Sequence, residues 1–506
     1  MTEVYAIDQI GLPILSLMIV LPLFVAVSLY FVGAAQQRMV AFGGVLAELA
    51  LGVVAAISFD SGAAGMQLVE RASWMPSVGA SFHLGVDGIS VLFLPLTALV
   101  ILLVMLGADN KTSNRWFWTN LMVLMTAAIG VYAALDLVLF FLFWELMLIP
   151  SYFLIRMWGV GSERQAAAMK YVLYMLVGSV PLLIGFAALG SSAGTFSLVE
   201  LQNTDIPMEL QTLVFVLLFL GFAVKAPLPP FHTWLPSVAM EGPAGMAIFL
   251  VGLKLGTFGM IKVLLPLAPD VAVAWQPALM WIGVLAMLYG GLIALAQTNL
   301  RRMLAYASVS HVGMVTVGIF SLTDAGLQGA VMAMINMGLA STVMMLIAGS
   351  LYQRLGTTEL TGLGGIARQT PVLAVAFFVA GLASIGMPGT SGFQGEFALI
   401  AGTFEADRVI GAVALLGVIL GAGYILWFYE RAFFGPAKSK NILSLRDLNQ
   451  SERMGVGVAG ALILLIGLAP MLAVPTISGA TDALMATLNA DAVDNLRTVL
   501  LMPGTE

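Results

Sequence analysis

Apolar runs long enough to cross a bilayer recur along the whole of this 506-residue chain, separated by short polar breaks. A spanning helix needs about 20 apolar residues. In lipid every backbone N–H and C=O must be bonded within the structure, which leaves helices and closed barrels as the only solutions. The runs here have helical length. They place spans near residues 11–32, 39–59, 88–107, 116–134, 137–156, 168–190, 211–226, 243–265, 275–297, 301–321, 326–352, 371–403, 409–434 and 455–475. The fold class expected is therefore an all-α polytopic membrane protein with about fourteen transmembrane helices. Residues 478–502 have mixed polarity and read as a surface tail, a lateral amphipathic helix. The first run lacks a basic leader and a small-residue cleavage site, so it reads as a retained helix.

Composition closes off other classes. Only 9% of residues are charged, against about a quarter in soluble chains. There is no cysteine, which excludes Cys-ligated iron–sulfur clusters and thiol chemistry on this chain. Its three histidines, His83, His232 and His311, lie far apart. No phosphate-binding motif is present, so neither a nucleotide nor any other cofactor has a visible seat. Nothing points to nucleic acid.

Positive charge orients the chain. With alternating loops and the N-terminus outside, fifteen of the 21 Lys and Arg fall in inner loops, three in outer loops and three within helices. Cytoplasmic loops carry the basic excess, so both termini are expected outside. The longest outer loop is 60–87.

Charges inside spans cost about 2.5–3.5 kcal/mol each and usually mark ion pathways. Glu145 lies near the centre of its span. Asp136, nine residues earlier, reads equally as a helix N-cap or a proton-path residue. Lys225 ends an apolar run and is followed by Ala-Pro-Leu-Pro-Pro-Phe-His232. Proline stops a helix, and the freed carbonyls are tolerated at this depth only when buried or lining a cavity. Lys254 lies near the middle of its span. Lys262, eight residues on, can snorkel to the membrane edge and reads as structural. Glu396 follows a second break, Gly386-Met-Pro-Gly-Thr-Ser-Gly392. Paired interruptions mark inverted-repeat transporters. The division expected is 1–110 for the first three helices and the outer loop, 111–270 and 271–435 for two inverted five-helix repeats with the seventh and twelfth helices broken, and 436–506 for the last helix and tail. His311, beside hydroxyls in Ala307-Ser-Val-Ser-His311, reads equally as a satisfied polar contact or a relay. His232, in its Pro-rich loop, reads as structural, with a relay role as the alternative. Carboxylates and lysines that pair and unpair can move protons, with energy supplied by a partner.

Four motifs carry a resemblance. Leu142-Phe-Trp-Glu145, Lys225-Ala-Pro-Leu-Pro-Pro-Phe-His-Thr-Trp-Leu-Pro236, Asn299-Leu-Arg-Arg-Met-Leu-Ala-Tyr-Ala-Ser-Val-Ser-His311 and Pro388-Gly-Thr-Ser-Gly-Phe-Gln-Gly-Glu-Phe397 resemble the antiporter-like, proton-translocating subunits of respiratory complex I. The likeness spans about residues 85–435. It implies that Glu145 and Lys225 form an input-side pair, Lys254 a central relay and Glu396 the terminal exchange residue. It also implies redox partners carrying FMN, iron–sulfur clusters and quinone, neighbouring antiporter-like subunits of L and N type, and a bacterial inner membrane. Glutamate at position 396 and the short C-terminus resemble the M-type branch. Two positions depart from the family pattern: Met240 and Met337 stand where histidines are usual. The alternatives are an Mrp-type cation/proton antiporter, a ferredoxin-driven or inorganic-carbon-uptake complex, and a scaffold whose buried charges only tie helices together.

Overall fold

The computed structural model describes residues 3–63, 65–108, 114–243 and 252–501. The chain runs β1 (Glu3–Tyr5), α1 (Ile14–Ser28), α2 (Ala34–Ser58), β2 (Met66–Met75), β3 (Ala80–Val86), α3 (Phe93–Gly107), α4 (Arg115–Ala133) and α5 (Leu137–Trp158). It continues with α6 (Arg164–Ala193), α7 (Met208–Lys225), α8 (Trp234–Glu241), α9 (Leu255–Leu267), α10 (Gln276–Leu295) and α11 (Leu300–Phe320). Then follow α12 (Asp324–Leu355), α13 (Pro371–Ser384), α14 (Ser391–Ala406), α15 (Arg408–Phe433), α16 (Gln450–Leu468) and α17 (Val474–Leu501). Among the described residues ten helices are long and apolar enough to cross a membrane, and α1, α3, α9 and α13 are shorter apolar helices.

The helices sort by burial. α11 and α12 are enclosed over nearly their whole length, whereas α2 and α16 bury little more than a quarter of their apolar stretch. Large side chains such as Phe24, Phe31, Ile57 and Leu285 point outward from the rim. In water such a surface would aggregate; in hydrocarbon it is the matched solvent. The buried centre is the more polar part. Ser308, Ser310, His311, Asn336 and Thr342 all lie there.

Two departures from the sequence reading matter. First, residues 60–87 are not a plain loop. β2 and β3 form an antiparallel hairpin, with Arg71 opposite His83, and β1 adds to β2 in parallel. The turn needs a positive φ, which Gly79 supplies at 78°. Second, the span read at 243–265 is not one regular helix. Its part at 244–251 lies outside the described residues. Leu253 and Lys254 are non-helical, and the turn from Met260 to Leu264 is π-helical.

The hairpin straps one end of the bundle. The Glu70 carboxylate accepts the Leu15 and Ser16 amides at 2.7 and 3.0 Å, capping α1. Asp136 accepts the Val138 and Leu139 amides as N-cap of α5, and its other oxygen takes the Ser81 amide of β3 at 2.8 Å. Arg71 pairs with Glu200 at 2.6 Å. Lys262 does not snorkel: it is buried and holds Asp87, just past β3, at 2.6 Å. The opposite end is clasped by basic residues of the inner-loop set. Arg354 reaches Glu452, and Lys438 donates to the Leu360 carbonyl.

His83 gives the hairpin a pH response. Its ring is fully buried, with Glu3 3.1 Å away. Burial first, then the Arg71 charge, draws its pKa from 6.5 to about 4, against an opposing pull from Glu200. The unfolded strand binds the proton below 6.5 while the folded one refuses it until about 4. Stability from this group is therefore complete above the upper value and is lost as pH falls between the two. Amide exchange across Ala80–Val86, corrected for intrinsic rates, should quicken over that window. His83→Gln should flatten the dependence; an unchanged slope in that variant would refute it.

Candidate functional site

Both expected breaks are present, and carbonyls stranded at them are met by side chains and by nearby backbone amides. At the first, α7 ends on Lys225 and three prolines follow before Phe231. The Trp234 indole donates to the Val224 carbonyl at 2.9 Å, and the Leu228 amide bonds Ala223 at 3.0 Å. An unmet carbonyl in lipid costs several kcal/mol, so these contacts fix where the helix stops. Lys225 then donates to the Trp144 carbonyl at 3.1 Å, with its ammonium 3.8 Å from the centre of the Trp144 ring. Glu145 accepts from the Ser179 hydroxyl. Among the described residues no ion pair joins Glu145 to Lys225; the lysine holds the carbonyl of the residue just before the glutamate.

The break presses against α9. A Cβ on Gly256 would lie 2.4 Å from the Ala226 nitrogen and 2.6 Å from the Phe222 carbonyl. Only glycine allows that approach. Two residues earlier, Lys254 is buried at the interruption of its helix. Its ammonium donates to the Ser308 hydroxyl of α11 at 2.6 Å, and its carbonyl accepts from Thr257 at 2.9 Å.

Ser308 and His311 share one face of α11, three residues apart. His311 Nε2 lies 3.1 Å from the carbonyl of Ser384, the last residue of α13. The Tyr424 hydroxyl is 3.5 Å from the same nitrogen. Asn336 of α12 donates to the Ala383 carbonyl at 2.9 Å and accepts from Ser391 at 2.7 Å. The second break thus has both of its last carbonyls engaged from neighbouring helices. It turns through Gly386 and Gly389, at φ 63° and 88°. Glu396 is buried against it: a Cβ on Gly386 would meet the Glu396 carboxylate at 2.4 Å.

Of the residues singled out by sequence, Glu145 and Lys225 lie partly buried at the first break, Lys254 is buried against α11, and His311 and Glu396 are buried against the second break. Asp136 does not join them; it is engaged in capping at the hairpin end. His232 does not either: it is buried, with Nε2 3.3 Å from the Tyr289 hydroxyl and its ring tilted against Tyr306 at 6.0 Å. The next residue, Thr233, lines a cavity of about 560 Å³ at the end opposite the hairpin, together with Lys170, Ser237, Met240, Arg302 and Tyr306. Met240 belongs to this cavity wall, while Met337 is buried in α12. Among the described residues no cluster of His, Asp and Glu could hold a metal ion.

Sequence reasoning missed Ser308, Asn336, Ser384 and Tyr424, because hydroxyls and amides are common inside helices. It also missed Glu48, fully buried in α2 with both carboxylate oxygens unpartnered among the described residues. The rule that flagged Glu145, an acid within an apolar run, would have found it.

Residues 134–421 match the family described as NADH:quinone oxidoreductase/Mrp antiporter, TM. The chain is 38% identical over 476 residues to NADH-quinone oxidoreductase subunit M of Rickettsia conorii, covering 91% of this chain and 96% of that one. It is 36% identical to F(420)H(2) dehydrogenase subunit M of Methanosarcina mazei, with 91% and 95% covered. A chain of respiratory complex I from Thermus thermophilus with bound NADH superposes with a TM-score of 0.87 at 30% identity, covering 94% of this chain and 99% of that one. With a family match over more than half of its length and a 38% identical relative covered almost end to end, this chain belongs to the NADH:quinone oxidoreductase/Mrp antiporter family.

Proposed function

We propose that Glu145, Lys225, Lys254, His311 and Glu396 are the stations of a proton path, with Ser308 linking Lys254 to His311. The chain is a proton-translocating membrane subunit of the NADH-quinone oxidoreductase type, and it works beside other membrane subunits. The observation that carries the residue assignment is the position of α11. Its Ser308 meets Lys254 and its His311 meets the second break.

The chemistry follows from the groups. A lysine can release its proton in an apolar setting; an arginine cannot. Lys225 on a carbonyl is held less firmly than on a carboxylate, so moving it between Trp144 and Glu145 changes its hold on the proton. The proton lost from Lys225 passes to Lys254. The Ser308 hydroxyl both accepts and donates, so it can hand a proton on toward His311 by way of bound water. Glu396 then takes it up beside Gly386 and exchanges it with the far side. Asp136 and His232 stand outside this path.

Further parts of the reading concern placement. The hairpin end and both termini face outward, the Lys- and Arg-rich end faces the cytoplasm, and the membrane is the bacterial inner membrane. L-type and N-type subunits flank the chain, and residues 111–270 and 271–435 act as two inverted half-channels. FMN, iron–sulfur clusters and quinone reside in partner subunits, which supply the energy. Proton uptake by inverted vesicles carrying the assembled complex tests the path. Glu145→Gln and Lys225→Ala should each cut coupled pumping several-fold. Wild-type pumping in both would refute the assignment.

A further inference from the structure

Lys254 has a shorter way out than the path to Glu396. Along α9 the next charged group is Lys262, roughly 12 Å further toward the hairpin. Lys262 already holds Asp87 there. A proton passing straight up the helix would reach the hairpin end without crossing the second half of the molecule. Something has to close that way.

Three rings stand at the level between the two lysines. Phe258 lies one turn past Lys254 and one turn short of Lys262. Its ring meets Tyr132 of α4 edge-on at 4.7 Å and Phe93 of α3 at 6.0 Å. Phe93 and Tyr132 stack at 4.9 Å and 12°. All three side chains are buried. They come from three helices and all lie toward the hairpin: Phe93 opens α3 just after Asp87, and Tyr132 is the penultimate residue of α4. The one polar side-chain atom among them is the Tyr132 hydroxyl, which has no hydrogen-bond partner among the described residues. A buried water needs two to four polar partners. This layer offers one.

We propose that Phe93, Tyr132 and Phe258 form a dry seal between Lys254 and the Lys262–Asp87 pair. It stops protons from leaving directly at the hairpin end and so commits them to the sideways route along α11. The seal works as apolar constrictions do elsewhere, by excluding the water wire a proton needs. The inference rests on the reading of Lys254 as a proton carrier.

The test uses the assembled complex in sealed vesicles. Phe258→Ala opens a ring-sized gap for water. It should leave quinone-linked turnover running while the pH gradient falls several-fold and passive proton entry into resting vesicles rises several-fold. If that variant fails to assemble, Phe93→Leu thins the same layer from α3 and should give the same pair of changes. Coupling and permeability equal to wild type in the assembled variant would overturn the seal. A pumping loss in Tyr132→Phe would also overturn it, by marking the hydroxyl as a relay. Lys254→Met separates this from the underlying reading. If pumping survives Lys254→Met, the carrier assignment falls. If pumping fails there while Phe258→Ala stays tight, only the seal falls.

Discussion

Lys254→Met should reduce proton pumping by the assembled complex to the level of uncoupled vesicles. Methionine nearly preserves the volume of the lysine stem, so packing changes little. What is lost is the ammonium that Ser308 receives at 2.6 Å. Lys254→Arg sharpens the result. It keeps the positive charge and the hydrogen-bond donors but cannot release a proton at accessible pH. If Lys254 only ties α9 to α11, the arginine variant should pump; if it carries protons, both variants should fail. The measurement is acidification of inverted vesicles set against quinone-linked electron flow in the same preparation. Normal pumping by Lys254→Arg would sink the carrier role.

The second large effect concerns assembly. Lys262→Met leaves the Asp87 carboxylate buried without its partner. Breaking one half of a buried pair costs about 3–5 kcal/mol, while replacing both halves by neutral groups is often tolerated. The amount of assembled chain in the membrane should therefore fall sharply in Lys262→Met and recover in the Lys262→Met/Asp87→Asn double variant. Quantifying the complex on native gels checks this. Equal losses in the single and double variants would show that the pair's charge is not what matters.

The spans were legible because lipid thickness sets their length, and the long apolar runs stop within a few residues of the helix ends. The two interruptions were legible because Pro and Gly announce them at 227–230 and 386–389. Lys254 gave no such signal: its break lies in Leu253–Lys254, and the bonds that define it come from Ser308 and Thr257. The hairpin was read as a loop because Met66–Met75 lacks clean alternation and its pairing is set by distant groups. Lys262 reads as structural, but where it points was hidden for the same reason. Its partner is 175 residues away in sequence, and a lysine near a helix end looks alike whether it reaches water or an acid. Asn336 carries no signal in sequence, since an amide inside a helix is ordinary; yet the amide, not an imidazole at position 337, meets the broken helix. The order proposed for the path comes from the likeness to proton-translocating subunits; spacing along the chain does not encode it.

α11 has one more property, which concerns timing. At its start Arg301 donates to the carbonyls of Met240 and Gly242, at 3.0 and 2.6 Å, where α8 ends. Ten residues on, about 15 Å along the axis, His311 bonds the end of α13. One stiff rod is therefore bolted to both discontinuous helices. A displacement of either interrupted helix would bear on the other through this one rod, and the timing of one would be set by the other.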